Sequence, residues 1–149
     1  MEEYARSIVI AAPIDKVFHF HDDTRNLLKI TPPDIKVRID GMGEPGLGYR
    51  VRLTVVMFRI LPMKWTVRIT EYEPPTRMTD EQEQGPFAVW KQTRLLREVE
   101  GGTELTDVVR YKAPFGILGV IANALVIRPQ IKAMFAYRQQ ATKKILETA

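Results

Sequence analysis

Arg94 is the residue of this sequence whose position most needs a chemical reason. It lies in GPFAVWKQTRLL, residues 85–96, which alternates like a β-strand and puts the arginine on the same side as Trp90 and Leu96. A buried guanidinium needs an opposite charge, so a carboxylate or an acidic ligand is expected beside it. Phe87 falls on the other side of this pattern and is predicted to face outward.

The hairpin that follows this strand places a carboxylate beside the arginine. If Glu100 and Gly101, within the sequence EGGT, form a two-residue loop, Asp107 of the next strand pairs directly with Arg94. The other pairs on this face are Leu96 with Leu105, Gln92 with Val109, and Trp90 with Tyr111. The opposite face is charged, so the arginine and the aspartate are predicted to meet on the inner face of the sheet.

Two interpretations of this pair are open from the sequence. Arg94 and Asp107 form either a structural ion pair or, together with Gln92 and Tyr111, the polar end of a ligand pocket. Arg138 favours the pocket, because it lies on the apolar stripe of the last helical segment and should also point inward.

The charge balance inside the fold depends on which carboxylates face inward. Two inward arginines and one aspartate leave a surplus positive charge, which an acidic ligand, a further carboxylate or extension of an arginine to the rim could neutralise. Asp80 and Glu71 are the candidate carboxylates. Asp80 and Glu81 are neighbours in a strand and face opposite sides, and the alternation does not say which one faces inward.

No set of residues has the spacing of an active site. Ser7 is the only serine and lies in the first predicted strand, and the chain has no cysteine, so a nucleophile with a neighbouring base is not recognisable. His19 and His21 lie beside two aspartates, but neighbouring positions on a helix point in different directions, and capping or surface roles are expected. We predict no catalytic residue, no cofactor and no metal site.

The chain that positions these residues begins with one strand and two short helices. The strand runs from about Tyr4 to Ile10, Pro13 begins the first helix, and the second helix begins at Asp22 or Asp23. Residues 35–112 then alternate with a period of two. Turn sequences divide that region into about six antiparallel strands.

The tail, residues 117–146, is helical, with a kink predicted at Pro129. Its apolar stripe comprises Val120, Ile121, Ala124, Ile127, Ile131, Met134, Phe135, Arg138, Thr142 and Ile145. We therefore predict one α+β domain, residues 1–149, in which a curved seven-stranded antiparallel sheet wraps around the long C-terminal helix. Two short helices cannot fill the whole groove, so a pocket should remain.

The composition limits the partners and the compartment. The net charge is +4, but the basic residues are scattered, so we expect no nucleic-acid binding. The absence of cysteine and of a signal-peptide pattern at the N-terminus predicts a cytoplasmic protein. A monomer or a homodimer is expected.

Two apolar segments are predicted to surround the mouth of the pocket. They are FGILGVIANALVI, residues 115–127, and the hairpin VMFRILPMKW, residues 56–65, with Met57, Leu61, Ile117 and Ile121 at the mouth itself. Packing under the short helices explains the first segment without a functional role. A gate that makes transient contact with a membrane, or a dimer contact, is the functional interpretation.

Four stretches of the sequence resemble the START-like superfamily, which has the helix-grip fold. They are SIVIAAPIDKVFHFHDDTRNLLKITPP, DEQEQGPFAVWKQTRLL, GGTELTDVVRY and MFAYRQQATKKIL, and the likeness covers nearly the whole chain. Within the superfamily, also labelled SRPBCC, the chain is similar to bacterial polyketide cyclase/dehydrase-like and lipid-transport-like proteins. The resemblance implies a hydrophobic cavity. The most similar subgroup commonly has the pattern W-x-H-x-H, where this chain has Gln92 and Arg94, so histidine-dependent metal binding or proton transfer is not expected.

These observations favour a non-catalytic carrier or sensor of a hydrophobic small molecule such as a lipid, a quinone or a polyketide-like compound. Its predicted ligand-binding residues are Trp90, Gln92, Arg94, Asp107, Val109, Tyr111, Phe135 and Arg138. Apolar walls would supply affinity and the polar residues would orient the ligand. The alternatives are a cyclase/aromatase-type enzyme and an interaction module whose cavity is filled by its own side chains.

Overall fold

The structure, a computed structural model, describes residues 1–57 and 61–148, and of Met57 it describes the backbone alone. The strands are β1 (Glu2–Ile10), β2 (Lys36–Met42), β3 (Arg50–Met57), β4 (Leu61–Glu73), β5 (Arg77–Gln84), β6 (Val89–Val99) and β7 (Gly102–Lys112). The helices are α1 (Ile14–Asp22), α2 (Asn26–Lys29), α3 (Gly116–Ala122) and α4 (Arg128–Thr148), with a π-turn (Asn123–Ile127) between the last two.

The seven strands form a single antiparallel sheet in the order β1-β7-β6-β5-β4-β3-β2. The predicted α+β helix-grip fold is therefore confirmed. The β6–β7 hairpin has the predicted register, with Arg94 opposite Asp107. Gly101 makes the two-residue loop possible, because its φ of 88° lies in the left-handed region that other residues rarely adopt.

The second helix begins later than the sequence indicated. It starts at Asn26 rather than at Asp22 or Asp23, and no side chain caps it. Asp23 instead accepts hydrogen bonds from the backbone N–H of Arg25 at 3.1 Å and from its guanidinium at 2.9 Å. The Asp23 carboxylate thus binds the residue before α2 and does not cap the helix.

The C-terminal helical region is interrupted before Pro129. The backbone N–H of Arg128 bonds to the carbonyl of Asn123, five residues earlier, which is the pattern of a π-turn. The Asn123 side chain is buried and accepts a hydrogen bond from the Tyr111 hydroxyl at 2.6 Å. The kink predicted at Pro129 is thus replaced by a π-turn in the residues just before it, and the Tyr111–Asn123 hydrogen bond anchors this turn to β7.

The π-turn changes which residues of the predicted stripe reach the core. Ile131, Phe135 and Thr142 of α4 are buried, as the stripe requires, but Val120 and Ile121 of α3 are exposed. One extra residue in a helical turn rotates everything before it by about 100° relative to α4. The two helices therefore do not share one apolar face, and the prediction was wrong for α3.

The last helical segments also bind the first strand through its backbone. The side chains of Arg128, Gln139 and Lys143 donate hydrogen bonds to the carbonyl oxygens of Glu3, Arg6 and Val9, at 3.1, 2.8 and 2.8 Å. α4 is consequently fixed along the length of β1 as well as against the concave face of the sheet.

Candidate functional site

A cavity of about 150 Å³ lies between the sheet, the two short helices and one side of α4. Strands β3 to β6 supply one wall, because alternate residues of each strand point into the concave side. The apolar wall residues include Val51, Leu53, Val55, Trp65, Val67, Ile69, Met78 and Trp90. α2 closes one side but is only four residues long and has no buried residue.

Five polar side chains of the cavity come from four elements. Asp80 of β5 is paired in register with Gln92 of β6, and Arg94 lies two residues further along the same strand. Arg138 reaches the cavity from α4 and His21 from the end of α1. The other polar residues of the wall are Asp23, Thr24, Asn26, Thr31 and Tyr49, and the remaining wall residues are apolar.

Arg94 and Asp107 form the predicted ion pair, with 3.4 Å between the arginine Nε and the carboxylate Oδ1. The side chains are 14% and 5% exposed. The Nε is nevertheless not oriented to donate a hydrogen bond. Asp107 accepts hydrogen bonds from the amides of Gln92, at 3.3 Å, and Gln139, at 3.0 Å. It therefore joins β6 and β7 to α4 and is not a wall of the cavity.

Arg138 has no carboxylate within 4.0 Å in the part of the chain that the structure describes. Its buried Nε has no hydrogen-bond partner, and its guanidinium carbon lies 5.2 Å from the centre of the Phe135 ring. Burial, and then the positive charge of Arg94, lower the pKa of Arg138 to about 10. The guanidinium is still charged at neutral pH, so it is a cation held over an aromatic ring with an unused donor.

Asp80, and not Glu81, is the carboxylate that faces inward. Burial raises its pKa to about 6, although Arg94 and Arg138 act in the opposite direction. The expected surplus of positive charge is therefore smaller than the sequence indicated. At neutral pH most Asp80 side chains are ionised and balance one of the two arginines, while below about pH 6 the balance moves to the positive side.

His21 is a cavity residue that the sequence interpretation missed. Its Nδ1–H donates a hydrogen bond to the carbonyl of Val17 at 2.8 Å, which leaves Nε2 as an acceptor in the neutral ring. Burial, and then Arg94, lower the pKa of His21 well below its usual value. The spacing contained the signal, because His21 is one helical turn from Val17, a core residue on the inner face of α1.

The structure separates the predicted ligand residues into two groups. Trp90, Gln92, Arg94 and Arg138 line the cavity, whereas Asp107, Val109, Tyr111 and Phe135 are buried beside it without lining it. The second group packs or hydrogen bonds within the core.

The outward prediction for Phe87 was wrong. Its ring centroid lies 4.9 Å from that of Trp90 and 5.8 Å from that of Tyr111, inside the aromatic cluster. The alternation does not extend to Phe87, because β6 begins only at Val89 and the preceding residues form a loop.

The predicted mouth residues that the structure describes do not line the cavity. Leu61, Ile117 and Ile121 are all exposed. The side chain of Met57 lies outside the described residues, as do residues 58–60 at the tip of the same hairpin. Within residues 1–57 and 61–148 no three histidine or acidic side chains are grouped as metal ligands would be.

The sequence matches the family model for polyketide cyclase/dehydrase and lipid transport over residues 1–147. The chain belongs to this family. No curated protein matches the sequence. Membership in the polyketide cyclase/dehydrase and lipid transport family agrees with the START-like resemblance and with a ligand-binding fold.

Solved structures share the fold with little sequence identity. Protein CV1439 from Chromobacterium violaceum aligns with a TM-score of 0.79 at 15% identity, over 99% of each chain. The di-domain ARO/CYC protein StfQ, from the steffimycin biosynthetic pathway, aligns with a TM-score of 0.81 at 13% identity, over 98% of this chain and 50% of StfQ. The di-domain ARO/CYC protein BexL, from the BE-7585A pathway, aligns with a TM-score of 0.70 at 23% identity, over 95% of this chain and 46% of BexL.

Proposed function

We propose that this member of the polyketide cyclase/dehydrase and lipid transport family binds a hydrophobic small molecule, such as a lipid, a quinone or a polyketide-like compound, without converting it. The observation that carries the proposal is a cavity whose walls are mostly apolar and include a few polar and charged side chains. Burial of apolar ligand surface contributes roughly 25 cal/mol per Å², and a few polar groups then fix the orientation of the ligand.

The volume of the cavity limits how much of a ligand it can enclose. A cavity of about 150 Å³ accommodates a molecule of about the size of benzene. A longer ligand therefore places one compact end inside and extends outward, or moves a wall. α2 is the wall that moves at the least cost, since it is short and none of its residues is buried.

Native mass spectrometry of the purified protein, followed by organic extraction, tests this function. We expect a stoichiometric hydrophobic molecule, or binding of added menadione or benzyl alcohol. Replacing Val67→Phe, on the cavity wall, should weaken that binding at least tenfold, because the new ring occupies the space.

The matched control is Val89→Phe, an equal increase in volume at an exposed position outside the cavity. It should bind like the parent protein. Equal binding by both variants, or no binding of any probe to the parent, would contradict the proposal.

A cyclase/aromatase-type reaction is the second candidate, and specific groups favour it. Asp80, with a pKa of about 6, and the acceptor nitrogen of His21 are suited to moving a proton inside the cavity. StfQ and BexL, which share the fold, are described as ARO/CYC proteins. If the parent protein converts a bound enolisable ketone, and Asp80→Asn still binds the ketone but no longer converts it, the protein is an enzyme.

The apolar segment that follows β7 is proposed as a contact surface for an anionic lipid bilayer. Phe115, Ile117 and Leu125 are 83%, 77% and 73% exposed, and residues 113–127 contain no charge. Lys112 directly precedes the segment and Arg128 directly follows it, and their positive charges complement the negative charge of an anionic membrane. Gly116–Thr148 is also long and apolar enough to cross a membrane, by length and composition, with a mean hydropathy of 1.3 in its most apolar window.

Co-sedimentation with vesicles that contain phosphatidylglycerol tests this surface. The parent protein should sediment with them, and Leu118→Asp should reduce the bound fraction at least fivefold because it puts a charge into the apolar segment. Leu28→Asp, at an exposed leucine of α2, is the control and should sediment like the parent. If vesicles bind neither protein and the parent elutes as a dimer that Leu118→Asp dissociates, the surface contacts a second copy instead.

A further inference from the structure

We infer that the ligand of this cavity carries a single oxyanion, as a compact hydrophobic carboxylate does, and that Arg138 is the residue that binds it. The inference rests on the proposed function and names the chemical class of the ligand. The two arginines of the cavity differ in whether the protein supplies them with a counter-ion.

Arg94 already has a counter-ion within the protein. Its Nε lies 3.4 Å from Asp107, and the two residues are directly paired across β6 and β7. Arg138 has no such partner: within residues 1–57 and 61–148 no carboxylate lies within 4.0 Å of it, and its Nε makes no hydrogen bond. A partly buried cation without a counter-ion within ion-pair distance is costly, and a ligand that supplies the negative charge reduces that cost.

The neighbours of Arg138 leave its hydrogen-bond donors available to a ligand. Its contact with the face of the Phe135 ring orients the guanidinium without using a hydrogen-bond donor. Asp80 lines the same cavity but does not reach Arg138 within ion-pair distance. The guanidinium donors therefore remain available to a carboxylate, which matches their planar geometry.

The charge of the cavity favours a monoanion over a dianion. Arg94 is paired with Asp107, and Asp80 lies beyond ion-pair distance of Arg138. A monoanion beside Arg138 is accommodated because Asp80, whose pKa burial raises to about 6, can take up a proton, whereas a second negative charge would be repelled by Asp107. The acceptor nitrogen of His21 likewise disfavours a second negative charge. A cavity of about 150 Å³ further restricts the enclosed part to about one ring with its carboxylate.

Benzoate, benzamide and benzylamine test this inference, because they share one ring and differ in charge. We expect NMR or calorimetric titration of the parent protein to show benzoate binding at least tenfold more tightly than benzamide, with benzylamine the weakest. Arg138→Gln should reduce benzoate affinity at least tenfold and change benzamide affinity less than twofold, since a hydrogen bond to a charged group is lost only for benzoate.

Lys132→Gln is the control, because it removes the same charge from an exposed position of the same helix. It should leave all three affinities unchanged, and urea unfolding checks that each variant is folded. The comparison of the three ligands on the parent protein does not depend on any variant, so it decides the matter if Arg138→Gln does not fold.

The outcomes separate this inference from the proposed function. Equal affinities for benzoate and benzamide, or binding of menadione and benzyl alcohol without binding of benzoate, overturn the oxyanion inference and leave the proposed function standing. Loss of benzoate binding in Lys132→Gln would also overturn it, because the charge would then act from the surface. A parent protein that binds none of the charged or neutral probes overturns both.

Discussion

Replacing Asp107 by alanine should lower the free energy of unfolding by about 3–5 kcal/mol. The substitution leaves the nearly buried guanidinium of Arg94 without its partner and deprives the amides of Gln92 and Gln139 of an acceptor. For a domain of this size the melting temperature should fall by about 6–20 °C. Urea unfolding at neutral pH, monitored by tryptophan fluorescence, measures the change.

Glu104→Ala is the matched control for this prediction. It removes a carboxylate from the same strand, but one whose partner Arg97 lies on the exposed face at 3.0 Å. A surface ion pair of this kind contributes about 0–1 kcal/mol. If Asp107→Ala costs no more than Glu104→Ala, Asp107 does not hold the sheet and α4 together.

Arg94→Met combined with Asp107→Leu should recover part of the stability that Asp107→Ala loses. Removing both charges of a buried pair avoids the cost of leaving one of them unpaired.

Asp80→Asn should raise the free energy of unfolding by about 2 kcal/mol at about pH 8 and leave it unchanged at about pH 4. The folded-state pKa of Asp80 is about 6 and thus lies above the unfolded value, so the folded state binds the proton more tightly. Stability is therefore lost as pH rises from about 4 to about 6 and is constant above that range. The titratable groups around this carboxylate are His21, Tyr49, Glu81, Arg94, Asp107 and Arg138.

Urea unfolding of Asp80→Asn and the parent protein at several pH values measures this difference. Glu81→Gln, the neighbouring carboxylate on the opposite face of β5, is the control and should show no such dependence. A difference between Asp80→Asn and the parent that is the same at about pH 4 and about pH 8 would show that Asp80 is not destabilised by its burial.

The fold and the inner face of the β6–β7 hairpin could be predicted because local rules determine them. A two-residue loop at Glu100 and Gly101 fixes the register, and the register alone brings Arg94 to Asp107. The same alternation correctly places Trp90 and Gln92 on the concave side. Each of these positions follows from backbone geometry within one hairpin.

The cavity itself could not be predicted in this way, because alternation tells which face a residue is on and not what packs above it. Arg94 and Asp107 share one face, yet α4 covers Asp107 through Gln139 and leaves Arg94 at the cavity wall. The prediction for the orientation of α3 was wrong for a related reason. A hydrogen bond between side chains of different elements, Tyr111 of β7 and Asn123, anchors the π-turn that rotates α3, and the helical periodicity of the tail does not reveal it.

The attachment of α4 to β1 also determines how the two ends of the sheet meet solvent. β1 and β2 are the terminal strands, and unpaired backbone groups on such strands are a route to intermolecular strand pairing. At β1, Arg128 and Lys143 of α4 already occupy the carbonyls of Glu3 and Val9 on the open edge. At β2, the irregular register between Ile39 and Gly41 and the charged Lys36 and Arg38 oppose pairing instead. The C-terminal helix thus protects the β1 edge of the sheet against pairing with another molecule. An irregular register and charged side chains protect the β2 edge.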